Sequence, residues 1–198
     1  MTQKFLILLS GAALALAACG KHDNATTGGP DTGNATDMNA TAMDNGMTAN
    51  SAATAPAPTT AQGFVNAAAA SDRFEIESSK IAEASGSSSA VKKFAAQMIS
   101  AHTASTAKLK STVAGMNPPL TPDDTLAPDQ QQTLDNLKGL KGAALDSAYA
   151  RAQQQAHQKT LDTMEAYSSS GDNAALKSFA SGLIPTVTAH LNLAKGLK

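Results

Sequence analysis

Aromatic side chains are scarce in this chain: they make up 4% of its 198 residues, and tryptophan is absent. A β-sandwich or barrel core leans on aromatic and β-branched residues, so their scarcity beside abundant alanine points to closely packed helices. A basic excess is missing too. With a formal net charge of -1, the protein lacks the positive face that nucleic-acid binding requires. There is one cysteine, which excludes an internal disulfide framework. The sequence also has no nucleophile elbow, phosphate loop or Cys/His zinc spacing, and its serines sit in caps and linkers, where serine is normally found. Hydrolase and transferase chemistry therefore has no visible support.

One short apolar run is present. Lys4 precedes Phe5–Leu16, and Leu16-Ala17-Ala18 supplies the small residues of a cleavage site before Cys19. The run is too short for a comfortable membrane span, which takes roughly 20 residues, and has the layout of an export signal. Leu-Ala-Ala-Cys resembles the lipobox of bacterial lipoproteins, in which the cysteine is lipidated and becomes the new N-terminus. Residues 1–18 are thus expected to be a signal peptide and Cys19 a lipid-anchor site that ties the protein to a membrane. Gly20 follows the cysteine, and in lipoproteins of Gram-negative bacteria this resemblance points to the outer membrane, facing the periplasm.

Residues 19–61 are the expected linker. From Gly20 to Ala61 the chain is dominated by Ala, Thr, Asn, Gly, Asp and Pro and has no aromatic or branched aliphatic residue. Such a segment cannot build a core and is expected to be disordered, a tether with a reach of about 35 Å. Met38, Met43 and Met47 offer thioethers suited to Cu(I); the plainer reading is a spacer with incidental methionines.

Residues 62–198 read as a helical domain. Phe64–Ala70 predicts a short first helix, and Asp72 with Glu75 three residues on has capping-box spacing for a second start. The helix that follows, ending near Gly86, would turn Phe74, Glu77, Ser78 and Ile81 inward. Ser87-Ser88-Ser89 can cap the next helix, whose apolar positions Val91, Phe94, Ala95, Met98, Leu109 and Val113 share a face with His102. Pro118, Pro119 and Pro122 must break it, and Leu120–Pro128 is a crossing loop. A short helix over Asp129–Lys138 buries Leu134 and Leu137. A long one follows, roughly Ala143–Ser169, with Asp146, Ala150, Gln153, His157, Leu161 and Met164 inward. Asp172 or Asn173 caps the last helix, which buries Leu176, Phe179, Leu183, Val187, His190, Leu191 and Ala194 and should kink at Pro185. The expected fold is all-α: a four-helix bundle with a short extra helix.

His102, His157 and His190, the domain's three histidines, each fall on the apolar stripe of a different long helix. With inward Glu77 and Asp146 they compose a possible metal site for Fe, Mn or Zn. Against it, the Glu-x-x-His pair of di-iron bundles is missing: Ile99, Gln154 and Val187 stand three residues before the histidines. The competing reading has no cofactor and makes the histidines buried hydrogen-bonding residues that pin helix register, paired with Asp146, Glu77 or Tyr149.

Several clusters together resemble one bacterial family. These are Phe64-Val65, Glu75-Ile76-Glu77 through Ile81-Ala82, and Val91-Lys92-Lys93-Phe94-Ala95 with Met98 and His102. Gly142 to Asp146 with Tyr149 and His157 follows, and then Leu183-Ile184-Pro185 with His190-Leu191. The family is domain-of-unknown-function family 4142, and the resemblance spans about residues 62–198. It implies a ferritin-like four-helix bundle, typically exported and often described as an outer-membrane protein, with no known reaction. Ala101 and Ala156 stand where the resemblance implies an acidic residue, and Leu145 where it implies an aromatic. The reading that results is a cell-envelope lipoprotein that binds an unidentified protein or small ligand, with a stress role suggested by family analogy; the alternative is a metal-binding or redox protein.

Overall fold

The computed structural model describes residues 57–197; the expected signal peptide, the expected lipidation site Cys19 and almost all of the expected linker lie outside them. Five helices follow in order: α1 (Ala61–Ser85), α2 (Ser89–Ala114), α3 (Pro128–Lys138), α4 (Gly142–Ser170) and α5 (Ala174–Lys195). No strand occurs among the described residues. The fold is an all-α, ferritin-like bundle of four long helices with α3 as the short extra one.

Local chemistry sets most of the helix ends. The Ser88 hydroxyl accepts from the Val91 N–H and the Asn173 carbonyl from the Leu176 N–H, so both expected caps are in place. At α3, Pro128 occupies the first turn and Gln130 Oε1 accepts from the Ala127 N–H at 3.0 Å. Gly142 opens α4 with φ 58°, a left-handed conformation that a side chain would strain. Pro185 lies inside α5.

One expected boundary is wrong. Phe64–Ala70 is not a separate helix and Asp72 caps nothing: α1 is capped by Thr60, whose hydroxyl accepts from the Gly63 N–H, and runs unbroken through Asp72 and Glu75. Both carboxylates are buried inside the bundle, at 5% and 1% exposure. Asp72 finds a side-chain partner on α2, which outcompetes the backbone amides that a capping aspartate would serve.

α1 packs against α2 and α4, and α5 against α4 and α2, while α3 lies against α1 and α4. Asp146, in the first turns of α4, bonds Ser87 and Ser88 in the α1–α2 turn. The start of α4 therefore lies at the end of the bundle where α2 also starts. The two helices run parallel, and the chain between them must return the length of the bundle, the long crossover of ferritin-like folds. Part of that return runs along α1: Gln62 Nε2 donates to the Thr121 carbonyl, and the Asp123 N–H to Asn66 Oδ1.

The apolar core is in two pieces. One gathers Phe74, Phe94, Met98, Leu134, Leu137, Leu145 and Tyr149. The other gathers Phe64, Leu109, Val113, Met164, Tyr167, Leu176 and Phe179, with Phe64 stacked on Tyr167 at 4.0 Å between ring centroids. Between them the helices carry a polar layer.

Candidate metal centre

A heptad-like stripe on α1 builds the floor of that layer. Val65, Ala68, Asp72, Glu75, Ser79 and Ala82 recur at alternating steps of three and four, and all are buried. α2 contributes His102 from the stripe of Met98 and Leu109, α4 contributes Gln153 and His157, and α5 contributes His190, which is half-buried.

The three imidazoles meet. Ring centroids lie 5.7 Å apart for His102–His157, 5.9 Å for His102–His190 and 5.5 Å for His157–His190. One nitrogen from each ring lies within 4.8 Å of the others. Around an ion at the usual 2.0–2.1 Å, tetrahedral ligand nitrogens would be about 3.3 Å apart. Closing from within 4.8 Å to that spacing would put all three nitrogens on one ion.

Hydrogen bonds already fix two of the rings. His102 Nδ1 is 2.8 Å from Asp72 Oδ1, and the second oxygen of Asp72 accepts from Thr106 Oγ1 at 3.1 Å. His157 Nδ1 donates to the Gln153 carbonyl at 2.9 Å. With the proton on Nδ1, Nε2 carries the lone pair in each neutral ring. His102 Nε2, His157 Nε2 and His190 Nδ1 are buried and have no hydrogen-bond partner. Buried polar atoms are nearly always paired, and three partnerless nitrogens on three converging rings make a donor set that could hold a cation. The Asp72–His102 pair is the carboxylate–histidine arrangement that orients metal ligands.

Burial sets the charge of the layer. It pushes Glu75 up to about 7 and both His157 and His190 down to about 4. Burial also works against the charge on His102, but the hydrogen bond to Asp72 and the nearby carboxylates outweigh it, and His102 rises above the ordinary imidazole value. Neither oxygen of Glu75 has a hydrogen bond, and Oε1 lies 3.5 Å from His157 Nδ1.

Of the five residues the sequence puts forward for a metal, the structure brings His102, His157 and His190 together and places the two carboxylates elsewhere. Glu77 is not inward: it is partly exposed and pairs with Arg73 at 2.8 Å. Asp146 is buried, but it accepts from the Ser87 hydroxyl and from the Ser88 and Ser87 amides at the end of the bundle, and those bonds outweigh its burial to keep its carboxyl below the usual range. Tyr149 pairs with Ser79 at 2.7 Å rather than with a histidine. The acids beside the histidines are Asp72 and Glu75, which sequence reasoning assigned to a cap. The signal for them was the three-and-four stripe through Ala68 and Ser79.

No curated protein and no solved structure matches the chain. One protein-family model does, a domain of unknown function, over residues 46–197. That match takes in all five helices and the histidines of the polar layer, and the chain belongs to the family of domain of unknown function 4142.

Proposed function

We propose that this protein is a lipid-anchored component of the bacterial cell envelope whose bundle binds one transition-metal ion on His102, His157 and His190. The observation that carries the metal reading is the convergence of three imidazoles, one nitrogen from each within 4.8 Å of the others, each ring having a buried nitrogen without a hydrogen-bond partner. A bundle that needed histidines only to pin register would pair both nitrogens of each ring. The donor set also narrows the ion. Three imidazoles without a carboxylate ligand suit Zn²⁺ or Cu²⁺ better than Mn²⁺, and with no carboxylate to bridge, the set holds one ion rather than a di-iron pair. Leu16-Ala17-Ala18-Cys19 supports the anchor.

Metal analysis of the purified full-length protein tests this reading. One equivalent of Zn²⁺ or Cu²⁺ is expected, together with a rise in thermal stability on metal addition. A triple His102→Ala, His157→Ala, His190→Ala variant should lose both effects. A folded wild-type protein that takes up no ion and gains no stability from Zn²⁺, Cu²⁺, Fe²⁺ or Mn²⁺ would return the histidines to a register role.

A further inference from the structure

The ligand set stops at three. Among the described residues no other His, Cys, Asp or Glu joins the group of donor atoms formed by the histidines. Of the nearest acids, Asp72 is hydrogen-bonded to His102 Nδ1 and Thr106, and Glu75 Oε1 lies 3.5 Å from His157 Nδ1, the nitrogen that faces the Gln153 carbonyl. Three protein ligands on a tetrahedral ion leave one position to a small exogenous ligand, as in sites that exchange water rather than closed structural ones.

A space for that ligand adjoins the rings. A cavity of about 40 Å³ lies between α1, α2, α4 and α5, with His102 and His190 in its wall. One water needs roughly 10–15 Å³ of such space, so the cavity admits a molecule of a few atoms. Asp72, Ser105, Thr186, Ala68, Leu183 and Met164 also line it. His190, in its wall, is half-buried.

We infer that the metal keeps an open fourth position, facing this cavity, that takes an exchangeable monodentate ligand of water or small-anion size. The inference rests on the metal reading above. The ligand class follows from the space: the pocket is too small for a side chain of another protein or for an organic substrate of ordinary size. Met164 is the competitor within the chain, because its sulfur could close the position and turn an exchanging site into a sealed one.

Cobalt substitution separates these outcomes. Co²⁺ takes zinc geometries, and its visible bands report coordination number. Full-length protein loaded with Co²⁺ is titrated with azide, and a saturable change in the bands is expected. Ala68→Leu, which fills the cavity wall, should retain Co²⁺ but weaken azide at least about tenfold. In the unaltered protein cyanide should compete with azide, whereas benzoate, too large for the space, should leave the bands unchanged.

A wild-type protein that binds Co²⁺ with no azide response overturns the open position and leaves the metal reading standing; a spectrum then altered by Met164→Leu identifies the thioether as the fourth ligand. A response to benzoate also overturns it, since the open position would then face bulk solvent. Failure of the wild-type protein to bind Co²⁺, Zn²⁺ or Cu²⁺ overturns both readings.

Discussion

His102 and His157 differ in what holds them, and that difference predicts unequal consequences. The partner of His102 is a carboxylate, Asp72, at 2.8 Å, whereas His157 leans on the carbonyl of Gln153 in its own helix. Asp72→Asn keeps the shape but weakens the support of the ring. Metal affinity is expected to fall about 10–100-fold with the ion still bound, measured by competition with a chelator. Glu75 is expected to oppose stability in the metal-free protein. Its carboxyl rises from 4.5 to about 7 on burial, so the folded state binds more protons than the unfolded chain between those values. Stability then falls as pH rises through that window and stays reduced above it. Glu75→Gln removes the charge, and the new amide can donate to the partnerless Gln153 Oε1. The melting temperature of this variant should exceed that of wild type by several degrees at pH 8 and by less at pH 5, read by circular dichroism. His157 and His190 act in the other direction. Lowered to about 4 from 6.5, they are neutral in the fold while the unfolded chain takes up protons, so their contribution is lost as pH falls from about 6.5 toward 4.

Among the elements, the α1–α2 turn is held by a buried carboxylate. Asp146 accepts from the Ser87 amide, the Ser87 hydroxyl and the Ser88 amide, and so fastens the start of α4 to the junction of the first hairpin. Asp146→Ala leaves those amides without their partner and is expected to cost about 2 kcal/mol in urea unfolding. Gly86 is part of the same joint. A Cβ there would come within 2.6 Å of the Ala82 carbonyl oxygen and of Asp146 Oδ1, so Gly86→Ala should cost about 1–3 kcal/mol. Neither change touches the histidines, and metal stoichiometry in the folded fraction should be that of wild type.

Seen whole, the molecule joins two segments of opposite character. Residues 61–195 carry the described helices, while residues 20–60 before them are polar in sequence, without aromatic or branched aliphatic residues. No described helix is long and apolar enough to cross a membrane, so attachment in the proposed reading depends on Cys19. Cys19→Ser is expected to move the protein from the membrane to the soluble fraction on cell fractionation, with the bundle intact. Retention in the membrane would refute the lipid anchor.

The helices were legible because amphipathic period, caps and prolines are local: Ser88, Asn173 and Pro128 act within one turn of their own chain. The stripe positions of His102, His157 and His190 were legible for the same reason, since a helix face is a one-dimensional property. What charged groups do inside a bundle is not local. Asp72 and Glu75 had capping-box spacing, and only the arrival of α2 and α4 made them partners of imidazoles. Asp146 had the inward spacing of a ligand, but its height along the bundle axis put it at the α1–α2 turn. Sequence by itself determined the long helices and the apolar faces that carry the three histidines; the tertiary structure decided which acids are buried beside them and which residues meet, because register between helices is set by packing across the core and not by any single helix.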